Sequence, residues 1–295
     1  MKFETLQKGD CIGIACPSHV AKEERYAKNI FTLELLGFRV KLGGNAYKDT
    51  YGYLASEQER ADDFNAMIAD ESVKMVLFGG GEGGNELLPY LDFENMKKNP
   101  KFICSFSDGT TLLNSIHAMT GLVTYYGQGP GMFSDLRYYD YMHFCSHFVE
   151  GSPSTFAANS RWKTLNSGIC EGKLIGGYTR NAALLFGSRY FSYDKNAKHL
   201  LFLEDHESYG KTARISSFIS HIEQNDFIET VSGLIFGHYS NDVPEDLLQR
   251  LTRFGEKHGV PVVYTDDFGH GVNHAILPIG SRARLDASSQ SLHFL

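Results

Sequence analysis

The chain has 295 residues and a mass of 33.0 kDa, enough for one large domain or two of ordinary size with buried cores. Hydrophobic residues make up 42% and charged residues 21%, which excludes the compositions of disordered chains and of membrane-spanning ones. A formal charge of −7 and a pI near 5.9 supply no basic stripe for a phosphate backbone, so neither nucleic acid nor a membrane is expected as a partner.

The first twenty residues carry acids and a Gly-Asp turn before any apolar run and do not read as a signal peptide. Apolar runs at 11–16, 38–42, 73–78, 102–106 and 122–126 predict strands. Amphipathic stretches at 21–36, 56–68 and 111–119 predict helices between them, and Ser56 with Glu59 forms a capping box. This alternation is that of βα units around a parallel sheet. The expectation is an α/β chain with an N-terminal doubly wound, mostly parallel domain over 1–150. The stretch 151–172, rich in Ser, Asn and Gly, reads as a linker. Beyond it, strand-like LIGGY, HLLFLE, SGLIFGH and PVVYT alternate with helical 213–222 and 245–258, and 275–295 reads as short strands. That predicts a smaller, β-rich α/β C-terminal domain over 173–295. Five cysteines (Cys11, Cys16, Cys104, Cys145 and Cys170) are scattered without CxxC pairs. They read as buried free thiols of a reducing cytoplasm.

Four stretches hold residues suited to chemistry. In FGGGEGGNELLPYL, from Phe78, five glycines in six positions follow a predicted strand and precede a predicted helix. Gly79, Gly81 and Gly84 spell GxGxxG, but Glu82 would repel a pyrophosphate, and no Lys-Ser/Thr pair makes a P-loop. The other two readings are a tight turn and an oxyanion segment that brings backbone N–H groups close to a carbonyl. In FICSFSDGTTLL, Ser107 stands where a strand stops and a helix begins. That suits a nucleophile, and equally a Ser-Asp-Gly helix cap. LLFLEDHE runs a strand into Glu204, Asp205 and His206, and DDFGHG sets His270 between glycines after a strand. The spacings of His143, Cys145 and His147, and of His270 and His274, admit a metal reading. Without an HExxH or paired-cysteine pattern it is outweighed, and no metal or cofactor is expected.

In their order, KGDCIGIACPS (Lys8 to Ser18), GGEGGNELLPYLDF (Gly80 to Phe93), SDGTTL (Ser107 to Leu112), LFLED (Leu201 to Asp205) and FGH (Phe268 to His270) resemble the LD-carboxypeptidase family of serine peptidases, which includes the microcin C immunity proteins. The resemblance implies Ser107 as nucleophile, His270 as general base and Glu204 as the acid orienting it. It implies an oxyanion site from the Asp108 N–H and the Gly80–Gly81 stretch. It further implies a homodimer, and a substrate that is a small peptide cut before its terminal residue, either a muropeptide or a microcin C-like peptidyl nucleotide. Three positions depart from the family pattern. Ser105 stands where the family has Gly, Gly109 replaces a larger residue, and Tyr178-Thr179-Arg180 replaces Asn-Leu after LIGG, with Arg180 either a carboxylate clamp or a surface residue. The alternative function is a non-catalytic small-molecule binding protein on the same fold; a dinucleotide enzyme built on Gly79–Gly84 is a third.

Overall fold

The apolar runs of the first half become strands buried on both faces: β1 (Cys11–Ala15), β3 (Val73–Phe78) and β4 (Phe102–Ser105) expose almost nothing but Lys74. Two-sided burial is the signature of a parallel sheet covered by helices. The computed structural model describes residues 4–151 and 153–295, and the chain divides into two compact units, Met1–Ser152 and Pro153–Leu295.

In the first unit the strands run β5-β4-β3-β1-β2, with β2 at Arg39–Leu42 and β5 at Thr124–Tyr126, and every pairing is parallel. The connecting helices are α1 (Glu23–Leu35), α2 (Glu57–Ala69), α3 (Phe93–Lys98), α4 (Gly109–Thr120) and α5 (Tyr138–Phe144). The capping box at the start of α2 forms as read: Ser56 Oγ accepts the Glu59 N–H, and the Glu59 carboxylate accepts the Ser56 N–H. The strand order reverses its winding between β1 and β3, the switch point at which such sheets bind ligands at their carboxyl ends. The glycine-rich loop follows β3 and the Ser107 turn follows β4. The helix expected after the glycines is instead a 3-10 turn, Gly84–Tyr90, because Pro89 lacks the N–H that an α-helix would use.

The second unit holds β6 (Lys163–Asn166), β7 (Ile169–Tyr178), α6 (Thr179–Leu185), β8 (His199–Glu204), α7 (Thr212–Glu223), β9 (Val231–His238), α8 (Glu245–His258), β10 (Val262–Gly269), β11 (Leu277–Ile279), β12 (Arg282–Asp286) and β13 (Ser291–Phe294). Strands β7-β8-β9-β10 are parallel at the centre; β6 on one side and β12-β13 on the other are antiparallel. The stretch read as a linker contains β6 and the start of β7. Its strand character is hard to read because β6 is an edge strand with no buried residue, so no apolar alternation marks it. A buried carboxylate anchors its beginning: Asp267 accepts the N–H groups of Asn159 and Ser160 and the indole N–H of Trp162. Among the described residues no helix is long and apolar enough to cross a membrane.

One buried guanidinium ties together the loops at the carboxyl edge of the first sheet. Arg60 on α2 donates to the carbonyls of Ala55 (2.9 Å), Pro17 after β1 (2.6 Å) and Gly83 in the glycine-rich loop (3.1 Å), and it pairs with Glu86. Arg60→Met would leave these carbonyls short of a donor at about 1–3 kcal/mol each. We expect it to lower unfolding stability by about 3 kcal/mol or more, read as a fall in the urea midpoint.

Candidate active site

The turn that carries Ser107 is built on the three residues between β4 and α4. Ser107 has φ +57, in the left-handed region; among the described non-glycine residues only Gln290 shares it, in the turn between β12 and β13. That conformation costs an L-residue about 1–2 kcal/mol and is kept where surrounding contacts hold it. Those contacts are the Ser107 N–H donating to the Tyr126 hydroxyl (3.1 Å) and the Ser107 carbonyl accepting the Thr110 N–H (2.9 Å). The turn lifts the side chain from the end of the sheet onto the glycine-rich loop. A Cβ placed on Gly80 would lie 2.6 Å from Ser107 Cβ and 3.0 Å from its Oγ, so only glycine fits there. Among the described residues neither the Gly80 nor the Gly81 N–H meets a protein acceptor.

The N-cap residue of α4 is Asp108, and its side chain makes no cap hydrogen bond. Asp108 spends its carboxylate on the Gly84 N–H instead (2.8 Å), fastening the glycine-rich loop to the start of α4. The departures at Ser105 and Gly109 are a matched pair. Ser105 Oγ donates to the Phe78 carbonyl (2.7 Å), and a Cβ at position 109 would fall 2.1 Å from that same oxygen. The Ser105 side chain fills the space that a side chain at position 109 would need.

Glu204 and His270 lie at the carboxyl ends of the central strands of the second unit. Glu204, fully buried, is the last residue of β8. His270 follows Gly269, the last residue of β10, and its Nδ1 meets Glu204 Oε2 at 2.8 Å. Gly269 (φ +110) permits this, since a Cβ there would lie 2.9 Å from Glu204 Oε2. With Nδ1–H donating to the carboxylate, the tautomer presents Nε2 as the acceptor that a general base requires. Burial pushes the His270 pKa down, but the charge and hydrogen bond of Glu204, with a contribution from Asp205, outweigh it and leave it above the ordinary 6.5. Burial, and then the Glu204 charge, push the Asp205 carboxyl up to about 7, so near neutrality it adds less than a full charge beside the pair. The rings of Tyr178 and Tyr209 each lie 5.1 Å from the His270 ring.

A second pair stands beside the first. His238, the last residue of β9, meets Asp266 at 2.7 Å, the Tyr264 hydroxyl donates to the same oxygen, and the His206 ring lies 5.9 Å from that of His238 and 6.4 Å from that of His270. Sequence reasoning passed over His238 although, like Glu204, it ends a buried strand. Arg180 is not simply on the surface: it is half-buried, its guanidinium 5.5 Å over the Tyr178 ring. Trp162 is buried and hydrogen-bonded to Asp267 at 2.7 Å, so it is packed rather than presented for stacking.

The remaining readings gain no support from geometry. The loop after β1, where a dinucleotide fingerprint belongs, is Cys16-Pro17-Ser18-His19 and has no glycine. His147 turns Nδ1 to the His143 carbonyl (2.9 Å), and burial, then the neighbouring His143, pull its pKa down to about 3. Among the described residues no group of three or more His, Cys, Asp or Glu side chains is placed to hold a metal ion.

Residues 12–127 match the sequence model of the LD-carboxypeptidase N-terminal domain, and residues 171–285 that of the LD-carboxypeptidase C-terminal domain. A Treponema pallidum protein provisionally named a carboxypeptidase is 31% identical over 87% of this chain and 83% of its own. The chain belongs to the LD-carboxypeptidase family. Membership places it among peptidase-type hydrolases. The microcin C7 self-immunity protein MccF of Escherichia coli is 26% identical over 97% of this chain and 93% of its own. The crystal structure of an MccF-like protein from Bacillus anthracis superposes with a TM-score of 0.89 at 26% identity, covering 100% of this chain and 99% of that one. MccF, alike in fold, has been solved with aspartyl sulfamoyl adenosine and with glutamyl sulfamoyl guanosine.

Two outcomes follow. Because the His270 pKa is raised in the folded state, the stabilisation from its ion pair with Glu204 is complete below pH 6.5 and is lost as pH rises through the higher native value. Imidazole NMR should place that midpoint above 6.5, and Glu204→Gln should move it down. Gly109→Ala should destabilise by about 1–3 kcal/mol through overpacking. Adding Ser105→Gly should restore much of the loss, a coupling of about 1 kcal/mol or more in a double-mutant cycle.

Proposed function

We propose that the protein is a serine carboxypeptidase that hydrolyses the amide bond before the terminal residue of a small peptide, with Ser107 as nucleophile, His270 as general base and Glu204 as the group that orients it. The observation that carries the reading is the left-handed Ser107 on a strand-to-helix turn, a costly backbone state that a plain helix cap does not need. The Glu204–His270 hydrogen bond through Nδ1 supports the second part.

In this reading Ser107 Oγ bonds to the scissile carbonyl carbon while its proton passes to His270 Nε2, and Glu204 stabilises the imidazolium that forms. The carbonyl oxygen becomes an oxyanion, received by the Asp108 N–H and an N–H of the Gly80–Gly81 stretch. Loss of such a donor typically costs about 10²–10³ in rate. The C–N bond then breaks and His270 returns the proton to the leaving amine. Water repeats the sequence on the acyl-enzyme, releasing the shortened peptide and Ser107. Arg180, held over Tyr178, is proposed to bind the terminal carboxylate, as a guanidinium binds carboxylates bidentately. The two candidate substrate classes are muropeptide tetrapeptides ending in D-Ala and aminoacyl nucleotide analogues of the kind bound by MccF.

The test is a hydrolysis panel of both classes with wild type and Ser107→Ala. We expect one class to be turned over by wild type, with kcat reduced by about 10⁴ or more in Ser107→Ala and a raised KM in Arg180→Gln. Turnover retained in Ser107→Ala removes the nucleophile assignment. Tight binding of a panel member by wild type without cleavage identifies a binding protein instead.

A further inference from the structure

Beside the Ser107 turn lies a buried polar chain that the proposed mechanism does not use. Cys16 Sγ–H points to the Tyr26 oxygen (3.5 Å), and the Tyr26 hydroxyl meets His19 Nε2 at 2.5 Å. His19 stands four residues after the end of β1, in the loop bordering the switch point, and its ring edge presses on the glycine-rich loop. A Cβ placed on Gly79 would lie 2.8 Å from His19 Cε1. The loop is anchored on its other side by the Glu82 N–H donating to the Ser18 carbonyl (2.8 Å).

The direction of each proton follows from burial. Burial drives the Tyr26 hydroxyl far above its ordinary pKa and the Cys16 thiol up to about 11, so both stay protonated. With the Cys16 proton on the Tyr26 oxygen, the Tyr26 proton goes to His19 Nε2. Burial lowers the His19 pKa, so the ring is neutral, and with Nε2 accepting, its one proton sits on Nδ1. After burial, the Gly80 backbone acts most strongly on the ring, and it favours the protonated ring, as an accepting carbonyl does. That hydrogen bond is not closed in this structure, where buried Nδ1 has no partner in hydrogen-bonding geometry. A buried donor without a partner is costly, so closing this bond is favourable whenever the loop allows it.

Gly80 C=O and Gly81 N–H are opposite ends of one planar peptide, so a hydrogen bond that fixes the carbonyl also fixes where the N–H points. We propose that His19 is a positioning residue for the Gly80–Gly81 peptide, its Nδ1–H closing onto the Gly80 carbonyl as an oxyanion forms at Ser107 and thereby holding the Gly81 N–H as donor to that oxyanion. This rests on the assignment of Ser107 as nucleophile. Tyr26 sets the tautomer, and Cys16 sets Tyr26.

The test uses the full chain and a fluorophosphonate probe, in which Ser107 Oγ displaces fluoride at phosphorus and the phosphoryl oxygen takes the place of the oxyanion. Wild type is expected to label at Ser107. His19→Phe should slow labelling about 10–100-fold, short of the full loss of an oxyanion donor, with the concentration giving half-maximal rate unchanged. Tyr26→Phe should slow it less, and His19→Asn should recover part of the rate by returning an N–H near the same place. Imidazole ¹⁵N shifts of wild type should report the Nδ1–H tautomer of His19. A wild type that does not label at Ser107 overturns the nucleophile assignment and this inference together. Labelling at Ser107 that is equally fast in His19→Phe, or an Nε2–H tautomer, overturns this inference alone. If His19→Phe does not fold, Tyr26→Phe and the tautomer decide.

Discussion

The constraint around which the first unit is arranged is the left-handed backbone of Ser107. An L-residue in that state must be held from several sides, and each hold determines a neighbour. The Tyr126 hydroxyl receives its N–H, Gly80 must be glycine because Ser107 Cβ occupies the adjacent space, and Asp108 reaches back to the Gly84 N–H. Arg60 then draws the loops after β1 and β3 together through their carbonyls, so that the strained turn faces a surface already fixed in shape.

The second unit solves a different problem, that of burying a carboxyl group fully at the end of a strand. Glu204 is placed at the end of a wholly buried strand, and the His270 ring helps compensate its burial, brought within 2.8 Å by a glycine that leaves room for it. Oppositely charged forms of the two groups favour one another, which is why the histidine pKa ends above its ordinary value although burial alone would lower it. His238 with Asp266 forms a second histidine–carboxylate pair beside it, with the histidine buried and the carboxylate partly exposed.

Membership of the LD-carboxypeptidase family was legible in ordered short motifs, and so was the strand and helix succession wherever burial is two-sided or a cap is present, as at 73–78 and at Ser56. Edge and irregular elements were not legible. β6 buries nothing, and the turn after the glycines follows Pro89 rather than any periodicity. Ser105 and Gly109 looked like two independent departures from the family pattern. In the fold they are neighbours, since a side chain at 109 would meet Ser105 Oγ, which no one-dimensional reading of single positions reveals.

By itself the sequence determined the α/β succession, the family, and which side chains are chemically able to act, because periodicity, turn residues and motif order are properties of neighbours along the chain. Only the tertiary structure decided that Ser107 is strained rather than a cap, that Glu204 meets His270, that Trp162 is packed on Asp267 and that His19 presses on the glycine-rich loop. Each of these depends on groups that lie on different elements and are brought together within a few ångströms by the sheet order. Burial and distance of that kind are set by packing, not by spacing along the sequence.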